Sequence, residues 1–386
     1  MKAKSTKISP YSASLYLGLF LFMLRTLFNY SSFIFYNNII DNILFVISIL
    51  FIVAAVIQQR YEVKTIILIA VLSIMALVTA FLSGHPFFLV TILVCVAIKN
   101  FDFDEMILLF FRTSLVFMVV HVLLSVLVPG LFSVDLVIHH LGFRIRYTFG
   151  FIHPNVFSII LFNIILMWVW LNFERMKYRH IIVIFALGII AVIFSDTRSS
   201  FVLTLVLCLL LLLQKKISKF AKLLRFLASS IVPLLSITVL WLMISFLQGS
   251  EWARIINIML TNRIRLGAFV YYNWGVSLLG RNLQNMNRGW DPITRRWTDL
   301  FIYDNIYSFF MIELGVAWLL VISIMYFFLS RYNNDKMNIC IIMWALYGMT
   351  EVHGWNGFVL FPFLFFAFLC SKKKQSTLQQ NHGRVN

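Results

Sequence analysis

The chain has 386 residues, of which 61% are hydrophobic and only 12% are charged. Soluble globular proteins carry about 25% charged residues, so this composition excludes a soluble enzyme, a disordered chain and a disulfide scaffold. The formal net charge of +17 is compatible with nucleic-acid binding, but the cytoplasmic loops of membrane proteins also collect Lys and Arg. We therefore expect a polytopic helical membrane protein, because long apolar runs recur along the chain.

Twelve apolar segments predict an all-α polytopic integral membrane protein of about 12 transmembrane helices. Several of these segments are short against the ~20 residues that cross a bilayer. No repeat or Pro-rich linker interrupts the chain, so we expect a single transmembrane domain over 1–386 with one large extracytoplasmic loop, 248–304, and a cytoplasmic basic tail, 371–386. The predicted segments are 13–35, 39–57, 65–83, 86–98, 106–129, 150–173, 181–195, 200–214, 226–247, 305–329, 338–352 and 357–370.

Basic residues predict the orientation of the chain. With the N-terminus in the cytoplasm, twelve spans return the C-terminus there, and 20 basic residues lie inside against 10 outside, as the positive-inside rule requires. All 14 Lys fall inside, whereas every basic residue outside is Arg. Arg is suited to bidentate phosphate binding, so this bias predicts an outward-facing site for a phosphate-bearing anion. The alternative is that these arginines snorkel to outer headgroups.

The first candidate anion site precedes the sixth predicted span. Pro154 suits the first turn of a helix, which places His153 near the N-cap and the free amides at the outer face. Arg144 and Arg146 come just before them. Helix N-termini attract anions, so this segment combines two features of a phosphate site.

Two further candidate sites follow in the chain. In the turn 195–200, Arg198 lies beside the free amides of another inward-running helix; the alternative is an ordinary capped turn with a headgroup-facing Arg. In the large loop, Arg263 and Arg265 are embedded in the apolar stretch 255–270. This stretch is too polar to span comfortably, and it predicts an amphipathic helix at the membrane surface.

Carboxylates near the outer ends of the last spans are candidates for proton transfer. Asp304 or Asn305 caps the tenth predicted span, and Glu313 follows about two turns into the membrane. Glu351 lies at the outer turn between the last two spans, where a carboxylate at membrane depth is a functional candidate; it could equally pair with an outer Arg. Arg25, within the first span, needs an anionic partner for the same reason.

Metal and nucleotide motifs are missing from the sequence. There is no Walker A, GxGxxG, HExxH or GxSxG pattern, and the four cysteines lie in apolar runs without a CxxC spacing. Asp102 and Asp104 have the spacing of a DxD motif but fall in a short predicted cytoplasmic loop. We therefore expect no metal and no cofactor.

Most of the chain between residues 140 and 360 resembles a known family. The segment Arg146-Tyr-Thr-Phe-Gly-Phe-Ile-His-Pro-Asn155 is similar to the Phe-Gly-Phe-x-His-Pro-Asn stretch of Gram-positive polysaccharide polymerases, which belong to the O-antigen polymerase and ligase (Wzy-type) superfamily. The resemblance covers most of 140–360, whereas residues 1–140 match only as a set of spans. Five further elements match in the same order: the Ser195–Ser200 turn, Asn262-Arg263, Leu279-Gly280, Asp304-Asn305-x-Tyr307 ahead of a Gly315-containing span, and Glu351 with Asn356.

The resemblance implies a metal-independent membrane glycosyltransferase with a GT-C-like helix bundle. It would lie in the bacterial cytoplasmic (inner) membrane with both termini cytoplasmic. Its activity would be the polymerisation of undecaprenyl-pyrophosphate-linked oligosaccharide repeat units into capsular, exo- or O-antigen polysaccharide on the outer face. Its partners would be these lipid-linked glycans, the lipid bilayer, a flippase and a chain-length regulator, and not nucleic acid. The alternatives are an O-antigen-type ligase and a flippase or transporter of lipid-linked oligosaccharide.

The residues fit this chemistry, because negative charge builds up on the leaving diphosphate and placed guanidinium groups stabilise it without a metal. We expect three arginines to serve this role, Arg146, Arg198 and Arg263, with Arg144 and Arg265 as alternates. A carboxylate or His must accept the proton of the acceptor hydroxyl, and three groups compete for it: Glu351, Asp304 and His153. The resemblance adds three substrate-binding side chains: Asn155, Tyr307 and Asn356. The related ligases carry a functional His in the large outer loop, but 248–304 has none, which leaves the general base open.

Overall fold

A computed structural model describes residues 10–133, 136–139, 144–217, 219–283, 288–298, 304–332 and 334–370. Nine helices in these ranges are long and apolar enough to cross a membrane, so the chain is an all-α polytopic membrane protein. The helices are α1 (Pro10–Asn29), α2 (Asn38–Ile57), α3 (Val63–Ser83), α4 (Phe87–Ala97), α5 (Phe103–Leu127), α6 (Pro154–Asn172), α7 (Tyr178–Ser195), α8 (Arg198–Lys216), α9 (Phe220–Leu247), α10 (Glu251–Met259), α11 (Arg263–Trp274), α12 (Ile306–Phe309), α13 (Val316–Ser330), α14 (Asp335–Gly348) and α15 (Phe366–Leu369).

Short elements complete the described part of the chain. A π-helical turn, Phe310–Gly315, joins α12 to α13, and the three together form one continuous span. Two antiparallel hairpins pair β1 (Leu136–His139) with β2 (Arg144–Tyr147) and β3 (Gly289–Asp291) with β4 (Arg296–Thr298). Single 3-10 turns cover Pro129–Leu131, Phe173–Arg175, His353–Trp355 and Phe361–Phe365.

Each of the twelve predicted segments falls on helical structure, but three differ from a spanning helix. Helix α4 has 11 residues and α14 has 14. The segment predicted at 357–370 is a 3-10 turn followed by the four residues of α15. Pro362 explains the break, because proline removes a backbone donor and disrupts an α-helix. The number of spans beyond the nine long helices stays a prediction, and the tail 371–386 lies outside the described residues.

The chain divides into two compact units. Unit 1 comprises Met1–Glu62 and Leu93–Leu212, and unit 2 comprises Val63–Ile92 and Leu213–Asn386. In unit 1, α1 packs against α2 and α5, α5 packs against α6, and α6 against α7. In unit 2, the long helix α9 packs against α11, α13 and α14. The expectation of a single transmembrane domain over 1–386 stays a prediction.

Two charged side chains predicted from the sequence, Arg25 and Asp102, have hydrogen-bond partners in unit 1. Arg25 donates from Nη2 to the Asp41 carboxylate at 2.8 Å, and the Tyr36 hydroxyl donates to the other oxygen of Asp41 at 2.7 Å. The expectation that Arg25 has an anionic partner is therefore confirmed. Asp102 caps α5 by accepting from the Asp104 amide, so this Asp of the DxD spacing has a structural role.

The π-helical turn of unit 2 is completed by an extended neighbour. Two amides of the segment 277–281 donate to the carbonyls of Met311 and Glu313, and two carbonyls of the same segment accept from the amides of residues 316 and 317. Gly315 lies at φ +104°, and a Cβ there would approach the Leu278 carbonyl oxygen to 2.5 Å. Only glycine fits this close approach, so Gly315 allows a non-helical segment to satisfy the backbone groups that the π-turn leaves open.

Candidate functional site

In unit 1, Arg146 connects the beginning of α6 to the end of α7. Pro154 is the first residue of α6, and His153 is its N-cap, with Nδ1 accepting from the Asn155 amide at 3.2 Å; both expectations are confirmed. Arg146 donates from Nε to the Ser195 carbonyl at 3.0 Å and from Nη2 to the Asn155 side-chain oxygen at 2.8 Å. Two residues predicted to bind substrate, Arg146 and Asn155, therefore contact each other.

A buried hydroxyl cluster, formed by Ser158, Ser195 and Thr197, lies at the same junction. Each pair of its three hydroxyl oxygens is within hydrogen-bond distance, at 2.5 to 2.9 Å. The Ser195 hydroxyl also donates to the Ala191 carbonyl at 2.6 Å. Buried hydroxyls are stable when their hydrogen bonds are made within the protein, so the hydroxyl cluster holds α6, α7 and the beginning of α8 together.

The two other predicted arginines of unit 1 lie nearby in the chain. Arg198 is the first residue of α8, its side chain is 65% exposed, and its Nε lies 3.8 Å from an Asp196 carboxylate oxygen. Asp196 adopts a left-handed conformation at φ 47°, which turns the chain sharply between α7 and α8. Arg144 lies in β2, opposite His139 of β1. Arg198 therefore presents an exposed guanidinium group beside the first amides of α8, where an anion is favoured.

In unit 2, Arg263 and Glu351 form a buried pair. Arg263 begins α11 and is 8% exposed, and Glu351 follows the end of α14 and is 7% exposed. Arg263 Nη2 lies 3.3 Å from Glu351 Oε1. Arg263 Nη1 has no hydrogen-bond partner among the described residues, although it is buried. The structure thus joins one arginine predicted to bind diphosphate with one carboxylate predicted to act on a proton.

The turn before α11 shows why Arg263 is held in this position. Thr261 and Asn262 both adopt left-handed conformations. Asn257 of α10 accepts from the Arg265 amide at 2.8 Å and donates to the Asn262 side chain at 2.9 Å. The prediction of one amphipathic helix over 255–270 is therefore wrong, because the side chain of Asn257 stabilises a reversal between α10 and α11.

Helix α10 keeps part of the predicted amphipathic character. Its Ala253 and Asn257 are buried, whereas Ile255, Ile258 and Met259 are 60% to 76% exposed. An apolar face of this kind on a short helix is typical of a membrane surface. The prediction of a surface-lying helix thus applies to α10 alone.

Arg265 has a partner in the β3–β4 hairpin. Its Nη2 donates to the Asp291 carboxylate at 2.7 Å. Burial opposes the ionisation of Asp291, but hydrogen bonds from Arg265 and from the amides of Ile293 and Thr294 outweigh it and lower the pKa of this carboxyl below its usual range. The pair therefore attaches the hairpin to α11.

The remaining predicted site residues of unit 2 make local hydrogen bonds. Of the two expected caps of α12, Asn305 is the cap, accepting from the Ser308 amide at 2.8 Å, and Asp304 precedes it half-buried. Tyr307 is fully buried and donates to the Ala345 carbonyl at 2.7 Å. Asn356 accepts from the Phe358 amide at 3.0 Å. Substrate contacts by Tyr307 and Asn356 stay predictions.

One pair in unit 2, a buried Glu with a half-buried His, was not recognised from the sequence. His85 Nε2 lies 2.9 Å from Glu313 Oε1. Glu313 belongs to the π-helical turn, and π-turns are frequent at functional sites. The two residues are 228 positions apart, so no local spacing in the sequence indicates their contact; the only signal was a lone carboxylate within a predicted span.

Cysteine and carboxylate chemistry offers no further site among the described residues. No group of three or more His, Cys, Asp or Glu side chains there could hold a metal ion. All four cysteines are buried as thiols.

Comparisons with known proteins found no relative of this chain. It matches no protein-family model. No curated protein and no solved structure matches it either.

The Arg263–Glu351 pair has the geometry of a site for an anion. Glu351 accepts from Nη2 and thereby fixes the plane of the guanidinium group, while Nη1 keeps an unused donor. Buried donors are nearly always paired, and guanidinium groups bind phosphate and carboxylate strongly. A phosphate oxygen that reached Nη1 would complete the hydrogen bonding of Arg263.

Proposed function

We propose that the protein is a metal-independent membrane glycosyltransferase that polymerises undecaprenyl-pyrophosphate-linked oligosaccharide repeat units on the outer face of the bacterial cytoplasmic membrane. The observation that carries this proposal is the buried Arg263, which is paired with Glu351 and retains an unpaired Nη1. The sequence resemblance to Wzy-type polymerases supports the same function.

The reaction explains why a buried guanidinium group is useful. When the donor sugar leaves its lipid carrier, negative charge develops on the diphosphate oxygen. A donor that is already oriented stabilises this charge more in a buried site than in water. Arg263 is oriented by Glu351 before any substrate binds.

Unit 1 contributes features that suit the same class of ligand. Arg198 is exposed at the beginning of α8, and Arg146 lies beside the beginning of α6. Phosphate binding at helix N-termini uses free amides together with nearby cations. We propose that Arg198, with Arg144 and Arg146, binds phosphate groups of lipid-linked substrate.

Reconstitution of the purified protein tests this proposal directly. The protein is mixed with lipid-linked repeat units in detergent or liposomes, with a metal chelator and without nucleotide sugar. A ladder of products that differ by one repeat unit is expected. Repeat units that stay single, or a ladder that requires nucleotide sugar or divalent metal, would contradict the proposal.

A flippase or transporter of lipid-linked oligosaccharide is a second candidate, because helices in unit 2 are interrupted. The π-turn at 310–315 and the 3-10 turns within 353–365 are irregular segments, and transporters bind substrate at such interruptions. A deletion strain separates the two functions. Single repeat units that accumulate on the outer leaflet support the polymerase, whereas accumulation on the inner leaflet supports the flippase. Long polymer that stays unattached would support a ligase.

A further inference from the structure

The His85–Glu313 pair has the geometry of a hydrogen-bonded base. The Glu313 side chain is 7% exposed and the His85 side chain is 24% exposed. With Nε2 of His85 donating to Glu313 Oε1 at 2.9 Å, the proton lies on Nε2 and Nδ1 retains its lone pair. Nδ1 has no hydrogen-bond partner among the described residues, and it is not one of the buried unpaired atoms. It therefore keeps some solvent-exposed surface.

The surrounding backbone holds both side chains in place. The His85 amide donates to the Ser83 hydroxyl at 3.2 Å, which in turn donates to the Thr79 carbonyl. The Glu313 carbonyl accepts from the Arg281 amide of the segment along the π-turn. The imidazole ring also packs edge-on against Phe309, with 5.5 Å between ring centres. A rigid imidazole–carboxylate pair of this kind orients a proton acceptor, as in the acid–His arrangement of hydrolases.

Two of the other groups considered for proton transfer, Glu351 and His153, are engaged differently. Glu351 accepts from the buried Arg263, which favours a role in positioning that guanidinium group. Nδ1 of His153 accepts from the Asn155 amide as the cap of α6, so that lone pair is used. His85 has an oriented ring with a free lone pair, and this combination makes it better suited to accept a proton.

We propose that His85 accepts the proton of the acceptor sugar's hydroxyl group at Nδ1 and that Glu313 is its positioning residue. This inference rests on the proposed function. In the reaction, the hydroxyl oxygen forms the new bond to the anomeric carbon of the donor. The bond between that carbon and the diphosphate oxygen breaks, and its electron pair leaves with the diphosphate. The hydroxyl proton passes to Nδ1 and is then released to water.

Other charged and titratable groups on the elements next to His85 also contribute to any pH dependence of the rate. The segment along the π-turn carries Arg281, whose guanidinium group donates to the Trp274 carbonyl. Phe87, which lies two positions after His85, stacks on Trp355. The turn that carries Trp355 also contains His353, and it follows Glu351 in the chain. Glu351 is paired with Arg263. The test includes variants of both His85 and Glu313, because these two residues form the proposed pair.

The test measures the rate of ladder formation against pH for the full-length protein and its variants. His85→Gln is expected to lower kcat about 100-fold or more, as loss of a general base does, with the KM for lipid-linked substrate within about 2-fold. The rise of rate with pH in the wild type should disappear. Glu313→Gln should lower kcat to a lesser extent, and Glu313→Asp should recover part of that loss. Added imidazole should restore part of the activity of His85→Ala.

Controls separate this inference from the proposed function. His180→Gln is the matched control, because His180 is a half-buried His whose ring accepts from the Lys177 amide at the beginning of α7; its rate and pH profile should equal those of the wild type. A wild type without a ladder overturns the proposed function and this inference together. A ladder that His85→Gln leaves unchanged overturns the inference alone. A slower His85→Gln that keeps the wild-type pH profile, without imidazole rescue of His85→Ala, shows a structural role and also overturns it.

Discussion

The hydroxyl cluster of unit 1 and the Arg263–Glu351 pair of unit 2 are both buried polar sites at helix ends. In the hydroxyl cluster each of the three side chains bonds the other two. In unit 2, Arg263 has one contact at 3.3 Å and an unpaired Nη1. The first arrangement is complete within the protein, whereas the second lacks one partner. Burial and polarity are therefore common to both sites, and the completeness of the hydrogen bonding is what differs between them.

The energetic difference follows from the cost of burial. A buried donor without a partner costs about 1–3 kcal/mol, and more when the group is charged. Departures from the local rules of stability concentrate at functional sites, and Arg263 Nη1 is one of several buried side-chain atoms without a partner among the described residues. Arg263 is therefore where we expect the largest effect of substitution on activity.

The sharpest test of the comparison is Arg263→Lys. It keeps a positive charge but loses the planar fork of donors, so the rate of ladder formation should fall about 100-fold, as for the loss of one oriented donor to a developing anion. Arg254→Lys is the matched control, because Arg254 is exposed on α10, and it should keep the wild-type rate. Equal rates for the two variants would show that Arg263 is not part of the active site.

The complementary test is Ser158→Ala, which should affect stability and leave catalysis unchanged. Two hydrogen bonds are lost in a buried junction, so the free energy of unfolding should fall by about 1–3 kcal/mol. Thermal unfolding in detergent measures this loss, and the ladder rate should stay within about 2-fold of the wild type. Ser229→Ala, at a half-buried Ser whose hydroxyl donates to a carbonyl of its own helix α9, should change neither quantity. A loss of rate without a loss of stability would make the hydroxyl cluster part of the active site.

The smallest effect is expected at the Arg265–Asp291 pair and depends on pH. Because the pKa of Asp291 is lowered in the folded protein, its ionised form stabilises the fold above its unfolded pKa, and this contribution is lost as the pH falls through the folded value. The wild type should therefore unfold at a higher temperature than Asp291→Asn at neutral pH, and the difference should shrink in acid. Glu251→Gln, at an exposed position of α10, should show no such trend. A difference that is constant with pH would exclude the ion pair as its cause.

Several local features were predictable because neighbouring residues determine them. Proline at position 154 predicted the beginning of α6 and the cap at His153, since the fixed φ and missing donor of proline suit a first turn. Arg25 had to have an anionic partner, since an unpaired charge within a span is costly, although only the structure identified it as Asp41. The reversal at 260–262 was not predicted, because it depends on a side chain of α10 that bonds across the turn.

The sequence by itself determined that this is a membrane protein of many helices, because apolar runs of spanning length have no stable alternative in water or lipid. The sequence also limited the charged candidates for the substrate site to five arginines and two carboxylates. Only the tertiary structure decided how these residues pair. Arg263 meets Glu351 across 88 positions and His85 meets Glu313 across 228. Contacts of that range depend on how helices pack, which periodicity along one helix does not specify.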